Sequence, residues 1–434
     1  MKIDTFNRAL FDLLEKCPTP YHATAYFQKK LSEQGFVALD EGKSWRIKKG
    51  QKYHLARNGS LIAFSLGAKT SLDNGFRMIG AHTDSPSLQI KPHFRTNGSP
   101  YLMAGVEKYG GVLLSTWFDR ELSLAGLVTC TSKDNQAFQV LIDFKKPLLY
   151  IPSLAIHLNR KANEGIEINV QEHVSPILGQ GEDQDRPNFI EILKTQIKKD
   201  HPDLLIDGIL GYDLFCYDLH KPAAFGFKND FLAAPRLDNL LSCHVGLQAI
   251  CHAGEDTNAL LLFTNHEEIG STSSSGALGN FSDLFMARIL KDPEKRGVCL
   301  HNSFLLSLDN AHATHPSYKD KSDGDHPVLL NKGPVIKINA SQRYASSALS
   351  ASIFRLIASE VGINTQDFVM RSDMACGSTI GPLTAAKLGI NTVDVGAPTW
   401  GMHAIREVTG VRDPLSLYTV SHHFFNRGEL PIAI

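Results

Sequence analysis

The chain has 434 residues; 43% are hydrophobic, 21% are charged, and 44 basic against 45 acidic side chains leave a formal net charge of −1. This composition is typical of a globular protein and excludes a disordered chain, a collagen-like repeat and a coiled coil. The balanced charge predicts neither nucleic acid nor a membrane as a partner, and no apolar run approaches the ~18 residues of a membrane span.

Two helices are predicted at the start of the chain. The first spans roughly 4–16 and carries charge throughout its apolar stretch, so it is interpreted as an amphipathic helix rather than a cleavable signal. The second begins after the turn at 18–20 and places Tyr26, Phe27 and Leu31 on one stripe.

Strands and a β-rich region follow the two helices. Short strands are predicted at 61–66 and 76–82. The region 95–230 consists of short alternating stretches separated by turn residues, which predicts a β-rich module. Its most polar segment, 179–188, is predicted to be a mobile loop.

The last part of the chain has a different rhythm. Helix-like segments at 238–253 and 346–360 alternate with β-like segments, which predicts an α/β fold with a mostly parallel central sheet flanked by helices. The early strands are expected to join this sheet, so that the β-rich second domain is an insertion. The predicted domains are a discontinuous α/β domain at 1–94 and 231–434 and an inserted domain at 95–230.

The seven cysteines are scattered singly, and no two form a CxxC pair. An odd, dispersed set indicates reduced thiols rather than a disulfide framework. The predicted location of the protein is therefore the cytoplasm.

Histidine and carboxylate side chains are grouped in five short patches. The patches are IGAHTDSP with His82 and Asp84, APRLDNLLS with Asp238, LLLFTNHEEIGS with Glu267 and Glu268, FLLSLDNAHATHP with Asp309, and VDVGAPTWGMHAIRE with His403. Most of them lie at or just beyond the carboxyl end of a predicted strand. Because ligands bind outside the carboxyl ends of the strands in open α/β sheets, these residues are expected to converge on one crevice.

Two imidazoles and several carboxylates, without a cysteine partner, suit one or two divalent ions such as zinc, manganese or cobalt. The ions would offset the repulsion between so many carboxylates. Two ions roughly 3.5–4 Å apart that share a carboxylate can polarise a carbonyl and activate a water. The adjacent glutamates then offer one metal ligand and one general base.

Each patch taken alone has a simpler structural interpretation. The alternatives are a local hydrogen bond for His82 and Asp84, a solvated surface for Glu267 and Glu268, a helix cap for Asp238, an ordinary turn for Asp309 and core packing for His403. The order of the patches and their common position at strand ends favour the metal site.

The motifs AHTDSP, PRLDNL, NHEEIGS, SLDNAHATHP and GMHAIRE together resemble the aspartyl aminopeptidase family of co-catalytic zinc exopeptidases. The segments CPTPYHA and GPVIKINASQRYA also match, and the resemblance runs from about residue 8 to 425. It implies two divalent metal ions per subunit, zinc or alternatively manganese or cobalt. By this resemblance, His82 and Asp309 bind one ion, Glu268 and His403 bind the other, and Asp238 bridges the two. Glu267 is implied as the general base, and Asp84 as the residue that orients His82. The resemblance also makes the Asp238–Asn239 bond a candidate cis peptide.

The family removes N-terminal Asp or Glu from peptides, so its substrate pocket requires a cation. Lys337 matches the position that the family assigns to this role, and Arg343 is a weaker competitor. From the sequence alone, a solvated lysine on an edge strand is the alternative. The segment SDMACGSTIGP, which contains Gly377, resembles the glycine loop on the substrate side. Cys376 in that loop has no adjacent basic residue and is not interpreted as a nucleophile.

The resemblance also implies a homo-oligomer, a tetrahedral dodecamer in which the inserted domain contacts other subunits. His157, in SLAIHLNR, matches a histidine that is thought to contact the active site of a neighbouring subunit, with an ordinary loop histidine as the alternative. His312 and His315 are interpreted as surface or supporting residues rather than ligands.

The function predicted from the sequence is a metal-dependent aminopeptidase that uses a metal-activated water on peptides with an acidic N-terminal residue. One alternative is another hydrolase with two metal ions, either an aminopeptidase of different specificity or a deacylase. A second alternative is a non-catalytic shell protein that keeps the fold for assembly.

Overall fold

A computed structural model of the protein describes residues 2–95, 100–181 and 188–431. The chain forms two compact units. The first comprises Met1–Ser85, Pro222–Met402 and Glu407–Ile434, and the second comprises Pro86–Lys221 and His403–Arg406. The second unit therefore begins and ends somewhat before the insertion expected at 95–230, and it takes in a short segment near the carboxyl end of the chain.

The helices and strands follow one another as described here. The α-helices are α1 (Ile3–Lys16), α2 (Pro20–Glu33), α3 (Val170–His173), α4 (Phe189–Asp200), α5 (Leu237–Cys251), α6 (Phe281–Ile289), α7 (Pro293–His301), α8 (Ala348–Glu360), α9 (Ile380–Leu388) and α10 (Asp413–Asn426). The strands are β1 (Val37–Ala38), β2 (Lys52–Arg57), β3 (Ser60–Ser65), β4 (Arg77–His82), β5 (Ser87–Arg95), β6 (Tyr101–Tyr109), β7 (Leu122–Thr131), β8 (Ala137–Asp143), β9 (Ile177–Gln180), β10 (Gly208–Asp218), β11 (Ala223–Phe225), β12 (Phe231–Ala234), β13 (Ala259–Thr264), β14 (Phe304–Leu308), β15 (Ala311–His312), β16 (Val335–Ile338), β17 (Gln366–Val369), β18 (Asn391–Gly396), β19 (Pro398–Trp400) and β20 (Glu407–Gly410).

The helices predicted from the sequence are confirmed, as α1, α2, α5 and α8. The start of α2 shows why the prediction works. Thr19 caps the helix by accepting a hydrogen bond from the backbone N–H of His22, and Pro20 occupies the first turn, where its fixed φ suits the helix.

The first unit is built on a nine-stranded sheet in the order β1-β2-β3-β13-β4-β14-β18-β16-β17. The four central strands β13, β4, β14 and β18 are mutually parallel, as predicted. The flanks differ from the prediction, because β2–β3, β3–β13 and β16–β18 pair in antiparallel fashion. The β2–β3 pairing follows from a two-residue turn at Asn58 and Gly59, whose φ values of 45° and 84° suit a hairpin.

Helices pack on both faces of this sheet. Every residue of β13 and β14 is buried, as expected for central parallel strands that are covered on both sides. Alternate residues enter opposite cores: Leu261 and Phe263 pack with α1, α2, α5, α8 and α10, whereas Leu260 and Leu262 pack with α6 and α7. Packing on both faces holds the central strands in place, and with them the starts of the loops that follow these strands.

The second unit contains an antiparallel six-stranded sheet in the order β8-β7-β10-β5-β6-β9. Its core includes Leu124, Ile142 and Leu214 from the sheet and Leu193 from α4. The loop predicted at 179–188 lies largely outside the described residues. Within the described part of the chain, we find no helix with the length and apolar character needed to span a membrane.

Candidate metal centre

The acidic and imidazole groups of the first unit meet at one edge of the nine-stranded sheet. His82 is the last residue of β4, and Asp309 directly follows β14. Glu267 and Glu268 lie in a short 3₁₀ turn, Glu267–Ile269, just beyond β13. Because β13, β4 and β14 are adjacent and parallel, their carboxyl ends share this edge, which brings the side chains together.

The Nε2 atom of His82 lies close to three of these carboxyl groups. It lies 3.4 Å from Oδ1 of Asp238, 3.8 Å from Oδ1 of Asp309 and 4.0 Å from Oε2 of Glu267. Potential ligand atoms of His82, Asp238 and Glu268 all lie within 4.8 Å of one another. We call these five residues the acidic cluster.

Asp238 is held through its backbone at the start of α5. Its N–H donates to Oε2 of Glu407 at 2.8 Å, and its carbonyl accepts from Oγ of Ser85 at 2.7 Å. The Asp238–Asn239 peptide is cis, as the resemblance implies. The side-chain amide of Asn239 donates to the carbonyl of Leu308 at 2.8 Å, which ties this segment to the end of β14.

Glu407 is a site residue that sequence reasoning missed. It is the last residue of the GMHAIRE motif, and its carboxylate is 1% exposed. A buried carboxylate requires hydrogen-bond donors, and the N–H of Asp238 is one of them. The signal available in the sequence was the acidic residue that ends this motif.

Asp84 is fully buried and joins His82 to the glutamate turn. Its Oδ1 accepts from the backbone N–H of Glu267 at 3.2 Å, and its Oδ2 accepts from the N–H of Glu268 at 3.1 Å. Its backbone carbonyl lies 3.1 Å from Nδ1 of His82. One residue therefore sets the orientation of the imidazole and the position of both glutamates.

These contacts define which nitrogen of His82 can bind a cation. Nδ1 faces the carbonyl of Asp84 at 3.1 Å and its Oδ1 at 3.5 Å, and both of these atoms accept hydrogen bonds. The proton of a neutral ring therefore sits on Nδ1, and the lone pair of Nε2 points at the carboxylates of the acidic cluster. Without a metal ion, the raised pKa of His82 means that Nε2 carries a proton toward these carboxylates. A divalent ion with N and O ligands can take the place of that proton, so the donor set fits such an ion.

The pKa values in the cluster follow from burial and crowding of charge. Burial lowers the pKa of His82, but the carboxyl groups of Asp238, Asp309 and Asp84 raise it, and it stands well above its ordinary value. The pKa of Glu267 is raised to about 8, because burial and the nearby carboxylates raise it more than the charge of His82 lowers it. The carboxyl of Glu267 can therefore hold or release a proton near neutral pH.

His403 belongs to the second unit, where it follows β19 in a left-handed conformation with φ of 68°. Its Nδ1 lies 3.1 Å from the carbonyl of Gly111. Because a carbonyl only accepts, Nδ1 carries the proton and Nε2 carries the lone pair, which is the tautomer that a metal-binding histidine needs.

Lys337 lies on β16, between β17 and β18, and is 2% exposed. The alternative of a solvated lysine on an edge strand is therefore wrong. Its Nζ is 3.4 Å from Oδ2 of Asp309 and donates to the carbonyl of Asn310 at 3.1 Å. Arg343, the competitor for the same role, is exposed, and its Nε donates to the carbonyl of Cys376 at 3.2 Å.

The remaining predicted residues lie on exposed segments. Gly377 is exposed, with open space where a Cβ would stand, and it precedes α9. His157 is exposed in the second unit, between the exposed Ile156 and Leu158. His312 is exposed at the end of β15 and does not belong to the acidic cluster.

Gly396 provides a test of how tightly the site is built. A Cβ at this position would lie 1.8 Å from the carbonyl oxygen of Asp309. We expect Gly396→Ala to lower the free energy of unfolding by about 1–3 kcal/mol, because the backbone that carries Asp309 must move. The measurement is urea unfolding of the metal-free protein.

Gly297 is the matched control, because it lies within α7 and has no heavy atom near its Cβ position. Gly297→Ala should stabilise the protein by about 0.5–1 kcal/mol, since alanine restricts the unfolded chain. Equal unfolding midpoints for the two variants would contradict the close approach at Gly396.

Comparisons with known proteins bear on this site. The family described as aminopeptidase I zinc metalloprotease (M18) matches residues 13–425. A probable M18 family aminopeptidase 2 from Stutzerimonas stutzeri (strain A1501) is 47% identical over 429 residues, which cover 99% of this chain and 100% of the relative. The protein of the same name from Azotobacter vinelandii is 46% identical over 426 residues, which cover 98% and 99% of the two chains.

Two solved structures are similar to this chain in fold. The cryo-EM structure of the Ape4 and Nbr1 complex contains a chain that is 35% identical with a TM-score of 0.94; the match covers 98% of this chain and 86% of that one. The mApe1 dodecamer of S. cerevisiae is 27% identical with a TM-score of 0.84 and covers 98% and 96%. The fold of this chain is thus similar to that of these two solved structures over nearly the whole chain.

Proposed function

The chain belongs to the aminopeptidase I zinc metalloprotease (M18) family of metal-dependent aminopeptidases, and on this premise we propose that it removes N-terminal Asp or Glu from peptides. The observation that carries the proposal is the acidic cluster, in which Nε2 of His82 lies within 4.0 Å of three carboxylates. The buried ammonium of Lys337 beside this cluster supports an acidic substrate.

Two divalent ions, zinc or alternatively manganese or cobalt, fit the N and O donors. The proposed ligands are His82 and Asp309 for one ion, Glu268 and His403 for the other, and Asp238 as the bridge. When bound, the ions supply polarisation of the scissile carbonyl, stabilisation of its developing charge and activation of a water.

Glu267 is the proposed general base. Its carboxylate takes the proton of the attacking water and later gives it to the leaving amine. Its Oε2 lies 4.0 Å from Nε2 of His82, beside the proposed metal ligands. Asp84 supports this role, because its Oδ1 accepts the backbone N–H of Glu267 and so holds the start of the turn in place.

Lys337 is the proposed cation for the acidic side chain of the substrate. An ammonium has three N–H donors, and two of them have acceptors, at Asp309 and Asn310. The third can reach a substrate carboxylate. The backbone around Gly377, just before the amino end of α9, is proposed to bind the peptide backbone of the substrate, since exposed N–H groups there suit a carbonyl or carboxylate.

The proposed assembly is a tetrahedral dodecamer, with the second unit at its contacts between subunits and His157 at the active site of a neighbouring copy. The dodecamer of the solved relative supports this. So does the exposure of Leu154, Ile156 and Leu158, at 62%, 47% and 75%, because a run of exposed apolar side chains marks a surface that is covered in the assembled state.

The proposed location is the cytoplasm. All seven cysteines are free thiols, and five of them are buried. Reduced, unpaired thiols of this kind suit a reducing compartment. Expression with a compartment-specific thiol label would test this directly.

A panel of dye-linked Asp, Glu and Leu substrates tests the function. We expect release from the Asp- and Glu-linked compounds to exceed release from the Leu-linked one. A chelator should abolish release, and added zinc should restore it. A preference for Leu would favour the alternative of a hydrolase with different specificity, and no release from any compound would favour the non-catalytic shell protein.

The particle mass tests the assembly. The double variant Ile156→Asp and Leu158→Asp should lower the mass measured by light scattering from that of a dodecamer, because it places charges in an apolar contact. Leu205→Asp is the control, since Leu205 is 75% exposed elsewhere in the second unit. A double variant with the wild-type mass would contradict the assigned contact.

A further inference from the structure

Lys337 has surroundings that a substrate-binding cation alone does not require. Its ammonium lies inside the first unit, 3.4 Å from Oδ2 of Asp309 and 3.1 Å from the carbonyl of Asn310. It also stands 5.3 Å from the centre of the Tyr344 ring, on the face of a side chain that is itself 4% exposed. These three neighbours hold the ammonium in place before any substrate binds.

The two oxygens of Asp309 have different neighbours. Oδ1 lies 3.8 Å from Nε2 of His82, inside the acidic cluster. Oδ2 lies 3.4 Å from Nζ of Lys337, on the other side of the carboxyl group. The ion pair therefore restrains the orientation of the Asp309 carboxylate, with one oxygen held toward Lys337 and the other held toward the cluster.

A second buried carboxylate depends on the same cation. Asp394, on β18, is fully buried and accepts hydrogen bonds of 2.6 Å from Oγ1 of Thr379 and from the N–H of Ala345. Burial raises the pKa of Asp394, and the charge of Lys337 opposes this shift. Thr379 caps α9, directly after the segment that carries Gly377. The charge of Lys337 thus acts both on Asp309 of the acidic cluster and on the carboxylate that anchors the glycine segment.

We propose that Lys337 is a positioning residue that fixes the cluster-facing oxygen of Asp309 and thereby sets the affinity of the site for zinc. The inference rests on the proposed function only in taking Asp309 as a metal ligand. It adds a role for Lys337 that operates before any substrate binds. Removal of a group that contacts a metal ligand, but not the metal itself, commonly weakens metal affinity by about 10–100-fold.

Zinc affinity of the metal-free full-length protein, measured by competition with a chelating dye and without substrate, tests the proposal. Lys337→Met should weaken zinc binding by about 10–100-fold. Lys337→Arg keeps the positive charge and should recover most of the affinity. Lys332→Met is the matched control, because Lys332 is an exposed lysine shortly before the same strand, and it should bind zinc like the wild type.

Two outcomes would overturn the proposal. One is wild-type or tighter zinc binding by a folded Lys337→Met protein, with folding checked by circular dichroism; tighter binding would show that the ammonium chiefly repels the ion. If that variant does not fold, Lys337→Gln takes its place, since its amide can still donate to the carbonyl of Asn310, and unchanged zinc affinity would again be decisive. The other is equal loss of affinity in Lys332→Met, which would show that the effect is not specific to the ion pair.

The same variants separate this inference from the proposed specificity. Weakened zinc binding with an intact preference for Asp-linked substrate at saturating zinc supports the inference and contradicts the substrate role of Lys337. Unchanged zinc binding with a lost preference for Asp-linked substrate contradicts the inference and supports the substrate role of Lys337. Failure of the wild-type protein to cleave any substrate would contradict the proposed function but would leave the zinc titration interpretable.

Discussion

Replacing Glu267 by glutamine is expected to lower kcat on Asp-linked substrate by about 10²–10⁴-fold, the usual contribution of a general base. Glutamine keeps the size of the side chain but cannot accept a proton at neutral pH. The backbone N–H that donates to Asp84 is unchanged, so the turn should keep its position. Zinc content, measured by atomic emission, should stay at the wild-type level, because Glu267 is not among the proposed ligands.

The control for Glu267→Gln is Glu255→Gln, which alters an exposed glutamate and should leave kcat unchanged. A Glu267→Gln protein that has lost zinc would show that Glu267 is a ligand, and the roles of the two adjacent glutamates would then be exchanged. Full turnover would remove Glu267 from the reaction altogether.

His82→Ala is expected to have the largest effect on the metal site. The ring provides the one nitrogen that faces Asp238, Asp309 and Glu267 together. Its removal should weaken zinc binding by more than about 100-fold, because residues that only contact a metal ligand contribute up to about that much. It should also abolish the chelator-sensitive release of dye. Zinc titration of the metal-free variant and the Asp-linked assay are the two measurements.

An exposed histidine serves as the control for His82→Ala. His301 ends α7 and is exposed, so His301→Ala should keep wild-type zinc binding and turnover. A His82→Ala protein with normal zinc content and normal turnover would contradict the assignment of the site to this edge of the sheet.

The sequence predicted the centre of the fold better than its flanks. Central strands such as β13 and β14 are continuous apolar runs followed by turn residues, and this pattern is strong. The antiparallel flanks depend on local turns and long connections that periodicity does not reveal. The Asn58-Gly59 hairpin was a readable signal for one of them.

The assembly of the second unit shows a related limit. Residues 403–406 join it although they lie far along the chain from the rest of that unit. The backbone N–H of Ile405, for example, donates to Oγ1 of Thr116 at 2.9 Å. A contact between such distant positions is determined by packing in three dimensions, so composition and periodicity could not predict this boundary.

For the site, the sequence identified the groups with strong chemical character but not their supports. His82, Asp309 and the glutamate pair stand out because they follow apolar strands. Glu407 was missed because its role is to accept one backbone N–H of Asp238, a contact that leaves no spacing pattern. The burial of Lys337 was also unpredictable, since it depends on contacts with Asp309, Asn310 and Tyr344, which lie elsewhere along the chain.

Crystal diffraction at the zinc absorption edge, on protein grown with zinc, tests the central claim most directly. The account predicts two anomalous peaks beside the acidic cluster, one of them within about 2.0–2.2 Å of Nε2 of His82 and of a carboxylate oxygen of Asp309. Strong anomalous peaks elsewhere in the protein would contradict the account. So would the absence of any peak in crystals whose protein, once redissolved, still releases dye from the Asp-linked substrate.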